Sequence, residues 1–195
     1  MTRSEVLDFV GQMKATDHAI LFYSAPADKH NVLFTFLKAG LDKGEAAAYI
    51  VDQETTDQIR EGMRRFGINV NELEKSGALQ VIHSRNWYFK DGAFDKLKVM
   101  ELWKNLSDNV TAKGFKGLRV TGETTGFFEQ NKVKELVEYE QSLHRKVELP
   151  MSVVCAYDAN VVAEESNGQL YLDLIKAHSS VIMTGPMDYG VTSSY

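Results

Sequence analysis

Polar and aromatic side chains cluster in the segment 83–89, which directly follows a short apolar run. His83 and Arg85 offer ring nitrogens and a guanidinium, while Trp87 and Tyr88 combine large apolar rings with polar tips. Such residues suit a mostly apolar pocket that orients a small molecule through a few hydrogen bonds. We therefore predict a ligand site here, and the alternative is a packed loop that covers the edge of a sheet.

A second group of candidates alternates along the apolar run 118–123. Arg119, Thr121 and Glu123 fall on one face, because successive side chains of a strand point to opposite sides. An unpaired buried guanidinium is costly, so Arg119 is expected to meet a carboxylate, either Glu123 or Glu140, or an anionic ligand. Two interpretations stay open: an internal ion pair that orders the sheet, and an anchor for the ligand.

Two further pairs of candidate ligand-binding residues stand where other apolar runs end. Tyr23 and Ser24 end the first run, and Tyr157 and Asp158 end the fifth. The carboxyl ends of parallel strands meet at one edge of a sheet, where open α/β proteins bind their ligands. Asp158 has a second interpretation, because an aspartate in that place also caps the turn that follows.

Several motifs that would support a cofactor or a reaction are absent from the sequence. The loop 23–31 contains neither glycine nor the Gly-Lys-Ser/Thr ending of a phosphate-binding loop, and the dinucleotide pattern G-x-G-x-x-G is absent as well. The G-x-S-x-G nucleophile elbow of hydrolases is also missing. We therefore predict no cofactor, no catalytic residue and no enzymatic activity.

The histidines and the single cysteine show no H-x-x-x-H or C-x-x-C spacing, so no metal site is predicted. Cys155 lies within an apolar run and is interpreted as an inert buried thiol. His18 begins the first apolar run, and His178 ends the last amphipathic segment. Both are expected at the sheet edge opposite the strand carboxyl ends, as neighbours with capping and packing roles.

Apolar runs and amphipathic segments alternate along the chain, and this alternation sets the predicted fold. Short apolar runs bounded by turn signals are typical of strands buried on both faces. The predicted strands are 18–24, 46–51, 79–83, 117–121, 152–157 and 181–183, and the predicted helices are 30–43, 56–66, 94–113, 127–147 and 170–178. Strict β-α alternation predicts a three-layer α/β fold, which is a largely parallel sheet with helices on both faces.

Composition and charge narrow the class of protein. A chain of 195 residues that is 44% hydrophobic fits one globular domain, here 18–185, with an N-terminal extension 1–17 and a C-terminal tail 186–195 that docks on the domain or on a partner. A net charge of −5 without a basic stripe argues against direct binding to nucleic acid. The single cysteine fits a reducing compartment, and no apolar run is long enough for a signal peptide or a membrane span. We therefore predict a cytoplasmic protein that does not bind membranes.

The order of several short motifs resembles one known family. These motifs are His18-Ala19-Ile20-Leu21-Phe22-Tyr23, Phe36-Leu37-Lys38-Ala39-Gly40-Leu41-Asp42-Lys43-Gly44-Glu45 with Tyr49-Ile50, Gly117-Leu118-Arg119-Val120-Thr121-Gly122-Glu123, Tyr139-Glu140 and Val154-Cys155-Ala156-Tyr157-Asp158. Over residues 17–183 the chain resembles the MEDS domain, the methanogen/methylotroph DcmR-type sensory domain. The resemblance implies a RecA-like or KaiC-like core without a functional phosphate loop. It also implies a sensory role in signal transduction or transcription regulation, with small hydrocarbon derivatives as ligands.

Three functions stay open at this point. The first is a stand-alone sensor of a small organic molecule, which acts through an unidentified protein partner or through its own assembly, a homodimer being the commonest. The extension 1–17 is too short for the helix-turn-helix domain of DcmR-like proteins, so we expect a different output. The second is an enzyme that uses the same pocket, with Glu123 or His83 as acid or base. The third is a regulator with a degenerate nucleotide site.

Overall fold

A computed structural model of the chain describes residues 2–146, 150–165, 168–185 and 188–193. Within these residues the strands are β1 (His18–Tyr23), β2 (Ala46–Val51), β3 (Leu79–His83), β4 (Leu118–Glu123), β5 (Met151–Asp158), β6 (Ser180–Thr184) and β7 (Tyr189–Ser193). They form one sheet in the order β3-β2-β4-β5-β1-β6-β7. Every pairing is parallel except that of β7, which runs antiparallel to β6.

Helices cover both faces of this sheet. They are α1 (Arg3–Gln12), α2 (Pro26–Asp42), α3 (Thr56–Arg65), α4 (Val70–Ser76), α5 (Ser84–Trp87), α6 (Lys96–Ala112), α7 (Thr125–Glu129), α8 (Val133–Lys146), α9 (Ala159–Glu164) and α10 (Gly168–Lys176), with a 3-10 helix over Lys90–Gly92. Helices α1 to α4 pack with one set of strand side chains, and α6 to α10 pack with the alternate set. The predicted three-layer α/β fold is confirmed.

The strand and helix boundaries follow from local chemistry. Strands β1, β2 and β4 are buried along their whole length, as expected of parallel strands covered on both faces. Helix α2 begins at Pro26, a residue whose fixed φ suits the first helical turn, and therefore starts earlier than the apolar periodicity predicts. Thr55 and Gln58 form a reciprocal capping box that begins α3. In the described part of the chain, no helix is both long and apolar enough to cross a bilayer.

One predicted helix is divided in the structure. The periodicity over 127–147 predicts a single helix, whereas the structure has α7 and α8 separated at Asn131, whose φ is +53°. Asparagine tolerates this left-handed conformation better than most residues, so it reverses the chain where a helix would otherwise continue. The end of the predicted helix, residues 147–149, lies outside the described residues.

The N-terminal extension and the C-terminal tail both pack on the domain. Helix α1 packs on α2, and the Arg3 guanidinium lies 5.1 Å from the centre of the Tyr189 ring in β7. The hydroxyl of Tyr189 also donates to Asp28 of α2, at 2.7 Å. Sequence patterning does not predict β7, because an edge strand of small and polar residues lacks an apolar run. Residues 186, 187, 194 and 195 of the tail lie outside the described residues.

Arg119 connects the amino end of β4 to the first two helices. Its side chain is fully buried, and its Nε donates to Glu45 at 2.6 Å. The two terminal nitrogens donate to the backbone carbonyls of Val10 at 3.1 Å, Phe36 at 2.9 Å and Met13 at 2.9 Å. The guanidinium thus pairs with a carboxylate and satisfies carbonyls at the end of α1 that have no partner within the helix.

The prediction that Arg119 pairs with Glu123 or with Glu140 is therefore wrong, because its carboxylate partner is Glu45. Glu123 lies at the opposite end of β4, and Glu140 packs with Cys155 and Tyr157 on the other face of the sheet. The sequence gives no sign of the true arrangement, because four of the groups that Arg119 contacts are backbone carbonyls and the fifth is a carboxylate distant along the chain.

Gly40 in α2 allows Arg119 to occupy this position, which gives a first prediction. A Cβ at residue 40 would lie 2.4 Å from Cδ of Arg119, whose guanidinium cannot shift without losing its hydrogen bonds. We expect Gly40→Ala to lower the free energy of unfolding by about 1–3 kcal/mol in urea denaturation. The matched control is Gly11→Ala, whose Cβ would meet only the Cβ of Ala39, at 3.8 Å, and which should be neutral or slightly stabilising.

A double-mutant cycle separates this steric clash from the loss of glycine itself. Arg119→Met alone should cost about 3–5 kcal/mol, because it leaves Glu45 without its buried partner. Adding Gly40→Ala to Arg119→Met should then cost much less than Gly40→Ala does in the parent chain. Strictly additive effects would show that Arg119 does not fill the space beside Gly40.

Candidate functional site

Glu123 is the most heavily hydrogen-bonded group at the carboxyl edge of the sheet. It is fully buried, and its Oε1 accepts from Nζ of Lys29 at 2.8 Å and from the Tyr49 hydroxyl at 2.7 Å. Its Oε2 accepts from the backbone N–H groups of Asp52, at 3.0 Å, and Gln53, at 3.2 Å. Two of these four donors are backbone N–H groups of the loop that follows β2, so Glu123 fixes the position of that loop.

Lys29 and Glu54 extend this network toward the surface. Nζ of Lys29 lies 2.9 Å from Oε2 of Glu54, and that same oxygen lies 2.8 Å from Nε2 of His30. Burial lowers the pKa of Lys29, but the charges and hydrogen bonds of Glu123 and Glu54 outweigh that effect and hold the pKa above its usual value. The His30 hydrogen bond, and next to it Lys29, lowers the pKa of Glu54 to about 2.

Tyr23 and Ser24, both predicted ligand residues, lie beside this network. The Tyr23 hydroxyl donates to the side-chain oxygen of Gln53 at 2.9 Å, and Nζ of Lys29 lies 5.4 Å from the centre of its ring. Burial, and next to it the negative charge of Glu123, raises the pKa of Tyr23 far above its usual range. Ser24 donates to the carbonyl of Thr184 at 3.0 Å, so both residues connect β1 to neighbouring elements.

A polar cavity of about 530 Å³, here called the edge pocket, opens where β2, β3 and β4 end. It is lined by Asp52, Gln53, His83, Ser84, Arg85, Phe89, Gly92, Gly126, Glu129 and Gln130. Asp52 shapes its wall, because one carboxylate oxygen accepts from the Ser84 hydroxyl and the other from the backbone N–H of Gly126. Nδ1 of His83 accepts from the N–H of Arg85 at 3.2 Å, so His83 caps the start of α5.

A second cavity, of about 350 Å³ and here called the aromatic pocket, lies between the segment 87–95 and α6. Its lining comprises Trp87, Tyr88, Lys90, Ala93, Asp95, Lys98, Val99, Glu101, Leu102 and Asn105. Trp87 packs on Trp103 with ring centres 4.3 Å apart. The indole N–H of Trp103 donates to the Tyr139 hydroxyl at 2.8 Å, whereas the buried indole N–H of Trp87 meets no acceptor among the described residues.

The remaining predicted residues line neither pocket. Arg119 makes the contacts described above, and Thr121 donates to the carbonyl of Val154 at 2.8 Å. The Tyr157 hydroxyl donates to Glu140 at 2.6 Å, on the opposite face of the sheet from Thr121. Asp158 accepts from the N–H of Asn160 at 2.9 Å and so caps α9, as the alternative interpretation held.

Sequence reasoning missed Lys29 and Tyr49, which together with Glu123 form the center of the carboxyl-edge network. A signal was present in the helical spacing. Lys29 lies four residues before Leu33 on the apolar face of α2, and a lysine on such a face requires a buried carboxylate. Glu123, an acid at the end of the buried strand β4, was the matching partner.

We compared the chain with known protein families, with curated sequences and with solved structures. The family MEDS, the methanogen/methylotroph, DcmR sensory domain, matches residues 17–179. The chain belongs to the MEDS family. Membership supports a sensory or regulatory role. The matched residues include β1 to β5 and the residues that line both pockets. No curated protein sequence matches the chain significantly.

Solved structures share the fold of this MEDS domain. A KaiC-like protein from the hyperthermophilic archaeon Pyrococcus horikoshii OT3 superposes with a TM-score of 0.64 at 15% identity, covering 92% of this chain and 78% of that protein. A second Pyrococcus horikoshii OT3 protein, PH0250, superposes with a TM-score of 0.62 at 8% identity, covering 97% of this chain and 92% of that protein. At these identities the likeness shows the fold alone.

The depressed pKa of Glu54 predicts how stability depends on pH. A carboxyl whose pKa falls from 4.5 to about 2 on folding stabilises the protein above pH 4.5, and this contribution is lost as the pH falls toward 2. We expect Glu54→Gln to lower the free energy of unfolding by up to about 3 kcal/mol at pH 7, with the difference from the parent protein vanishing near pH 2.

Denaturant melts across this pH range measure the effect. The control is Glu61→Gln, which removes an exposed carboxylate that pairs with Arg65 within α3 and should change stability little at any pH. A Glu54→Gln difference that persists unchanged at pH 2 would contradict the ion-paired geometry of Lys29, His30 and Glu54.

Proposed function

We propose that this MEDS domain senses a small, neutral hydrocarbon derivative, which binds in the aromatic pocket without being chemically changed. The observation that carries the proposal is the indole N–H of Trp87, which is buried without an acceptor in the described structure while its ring lines the pocket. A buried donor without a partner costs about 1–3 kcal/mol. A ligand that carries a hydroxyl, carbonyl or halogen acceptor would recover this cost.

The lining of the aromatic pocket supports a ligand of this class. Ala93, Val99 and Leu102 offer apolar contact, and the volume of about 350 Å³ suits a small molecule. The Asp95 carboxylate accepts from two backbone N–H groups at the start of α6, so it caps the helix rather than presenting a free charge to a ligand. Lys90, Lys98, Glu101 and Asn105 also line the pocket. We propose that the apolar residues and the Trp87 donor together select a neutral molecule with a single acceptor.

The segment after β3 supports a route by which binding reaches the surface. Trp87 and Tyr88 line the aromatic pocket, while Phe89 and Gly92 line the edge pocket, so one stretch of chain forms a wall of both cavities. A ligand that repositions Trp87 therefore alters the edge pocket. We propose that a protein partner, or a second copy of the chain in a homodimer, reads this change, and that transcription is regulated through that partner.

Two features support a nucleotide-independent mechanism. The first βα loop lacks the glycines of a phosphate cradle, and the ammonium of Lys29, at the start of α2, is bound by Glu123 and Glu54. A lysine held by two carboxylates is not available to a phosphate. We infer that the phosphate loop of the KaiC-like fold no longer functions in this chain.

If the protein were an enzyme, the structure would favour His83 over Glu123 as its acid or base. Glu123 accepts four hydrogen bonds and is fully buried, which argues against a role in proton transfer. His83 lines the edge pocket and would be the acid or base of such an enzyme. The Ser84 hydroxyl beside His83 donates to Asp52, whose other carboxylate oxygen accepts from the N–H of Gly126. This pair holds the wall of the edge pocket together, which supports the binding function over the enzyme.

A comparison of the two tryptophans tests the proposed site. Trp87→Phe keeps an aromatic ring but removes the donor without a partner, so stability should change by less than about 1 kcal/mol while ligand affinity falls by roughly 5- to 10-fold. The readout is tryptophan fluorescence during titration with short alcohols, ketones and halogenated alkanes, each compared with the alkane of the same size. The chain has two tryptophans, so Trp103 alone gives the signal in Trp87→Phe and Trp87 alone gives it in Trp103→Phe.

The matched control is Trp103→Phe, which removes an indole N–H that is already bonded to Tyr139. It should lower the free energy of unfolding by about 0.5–1.5 kcal/mol and leave the preference for acceptor-bearing ligands intact. If alkanes bind the parent protein as well as their acceptor-bearing counterparts, the Trp87 donor plays no part in recognition.

Nucleotide binding provides a separate test. Isothermal calorimetry of the purified protein with magnesium ATP should show no heat of binding at micromolar concentrations, because Lys29 is already neutralised by Glu123 and Glu54. Tight, magnesium-dependent ATP binding would contradict the inferred loss of the phosphate loop and would favour the nucleotide-dependent regulator.

A further inference from the structure

Four potential metal ligands meet in the core, away from both pockets. His18 begins β1, Cys155 lies within β5, Glu140 projects from α8, and His178 follows α10. All four side chains are buried, with at most 5% of any residue exposed. They are here called the His/Cys/Glu cluster. The sequence hides this cluster, because its members are far apart along the chain.

The distances within the cluster are those between ligands of one small ion. Nε2 of His18 lies 3.3 Å from Sγ of Cys155 and 3.5 Å from Oε2 of Glu140. That oxygen lies 3.5 Å from Nε2 of His178 and 3.5 Å from Sγ of Cys155. A tetrahedral ion with bonds of about 2.0–2.3 Å separates its ligands by about 3.3–3.8 Å, so these four separations match four of the six edges of such a tetrahedron. All four ligand atoms lie within 4.8 Å of one another.

Neighbouring groups orient the ligand atoms toward the centre of the cluster. Nδ1 of His178 lies 2.7 Å from the carbonyl of Leu174, which only accepts, so Nδ1 carries the proton and Nε2 keeps its lone pair. The Tyr157 hydroxyl donates to Oε1 of Glu140 at 2.6 Å and leaves Oε2 for the centre. Supporting hydrogen bonds of this kind are typical of histidine and carboxylate ligands in metal sites.

We propose that the His/Cys/Glu cluster binds one first-row transition-metal ion, Zn²⁺ in the resting protein. Two imidazoles, one thiolate and one carboxylate are a borderline to soft donor set, which disfavours Mg²⁺ and Ca²⁺. A divalent ion balances the charges of the Cys155 thiolate and the Glu140 carboxylate in this buried site. As the metal–sulfur bond forms, the thiol proton leaves to solvent and no redox change is involved.

The four protein ligands close the coordination sphere, so the ion is structural and leaves no open position for a substrate. It joins the amino end of β1, the middle of β5, α8 and the end of α10. The expectation that His18 and His178 are neighbours is confirmed, since their ring centres lie 4.1 Å apart. In the proposed site their role as metal ligands adds to the capping contact of His178 with the carbonyl of Leu174, and Cys155 acts as a ligand rather than as an inert thiol.

The test uses the full-length chain without an affinity tag, stripped with a chelator and then titrated with Co²⁺ or Zn²⁺. We expect one equivalent of metal per chain by elemental analysis and a raised melting temperature. Cobalt should produce the visible bands of a tetrahedral complex together with a thiolate-to-metal charge-transfer band in the near ultraviolet. Because Cys155 is the single cysteine, that band reports this cluster and no other site.

Variants distinguish this site from adventitious binding. Cys155→Ser should abolish the charge-transfer band, and His178→Gln should weaken Co²⁺ binding by at least about 100-fold, whereas the control His83→Gln should change neither. Tyr157→Phe keeps all four ligands and should weaken binding by about 10- to 100-fold.

If the variants of the metal ligands do not fold, cobalt titration of the parent protein still tests the proposal. A parent chain that takes up no stoichiometric cobalt, or takes it up without the charge-transfer band, overturns the site. Equal metal binding by parent protein and a folded Cys155→Ser variant overturns it as well.

Discussion

Strand β4 carries a fully buried charge at each end, and the compensation of these two charges organises one whole face of the sheet. At its amino end, Arg119 meets Glu45 and the carbonyls that end α1. At its carboxyl end, Glu123 meets Lys29 of α2 and the backbone of the loop after β2. Since leaving either charge unpaired would cost several kcal/mol, α1, α2 and that loop must pack in one arrangement for the protein to fold.

This compensation also bears on the proposed ligand site. The groups that would attract an anion or move a proton at the carboxyl edge, Lys29 and Glu123, are already engaged with one another. Unmet hydrogen-bonding capacity is found instead on the other face, at Trp87, where the packing of the segment after β3 leaves a cavity. Among the described residues the buried hydroxyls of Thr124 and Thr184 also meet no partner, but neither threonine lines the edge pocket or the aromatic pocket. An unsatisfied donor on a residue that lines a cavity is a stronger sign of binding than a charged group that has its partners.

The sequence predicted the parts of this fold that depend on local pattern. Buried apolar runs and helical periodicity give β1 to β6 and the parallel sheet, and the candidates His83, Arg85, Trp87 and Tyr88 do line cavities. Contacts between residues that are far apart along the chain could not be predicted from the sequence. The carbonyl partners of Arg119 carry no side-chain signal, and the His/Cys/Glu cluster contains no two ligands within one short motif, which is the pattern on which sequence recognition of a metal site relies.

The aromatic pocket and the His/Cys/Glu cluster lie in one packed layer, and this has a physical consequence for sensing. Trp87 stacks on Trp103, the Trp103 indole donates to Tyr139, and Tyr139 precedes Glu140 on α8. A wall that already holds its bound geometry loses less conformational entropy when a small ligand arrives, and a small ligand has little binding energy with which to order a loose site. An ion that fixes α8 against β1 and β5 would hold Tyr139 and Trp103 in place. Only the segment that begins at Trp87 would then remain free to respond to the ligand.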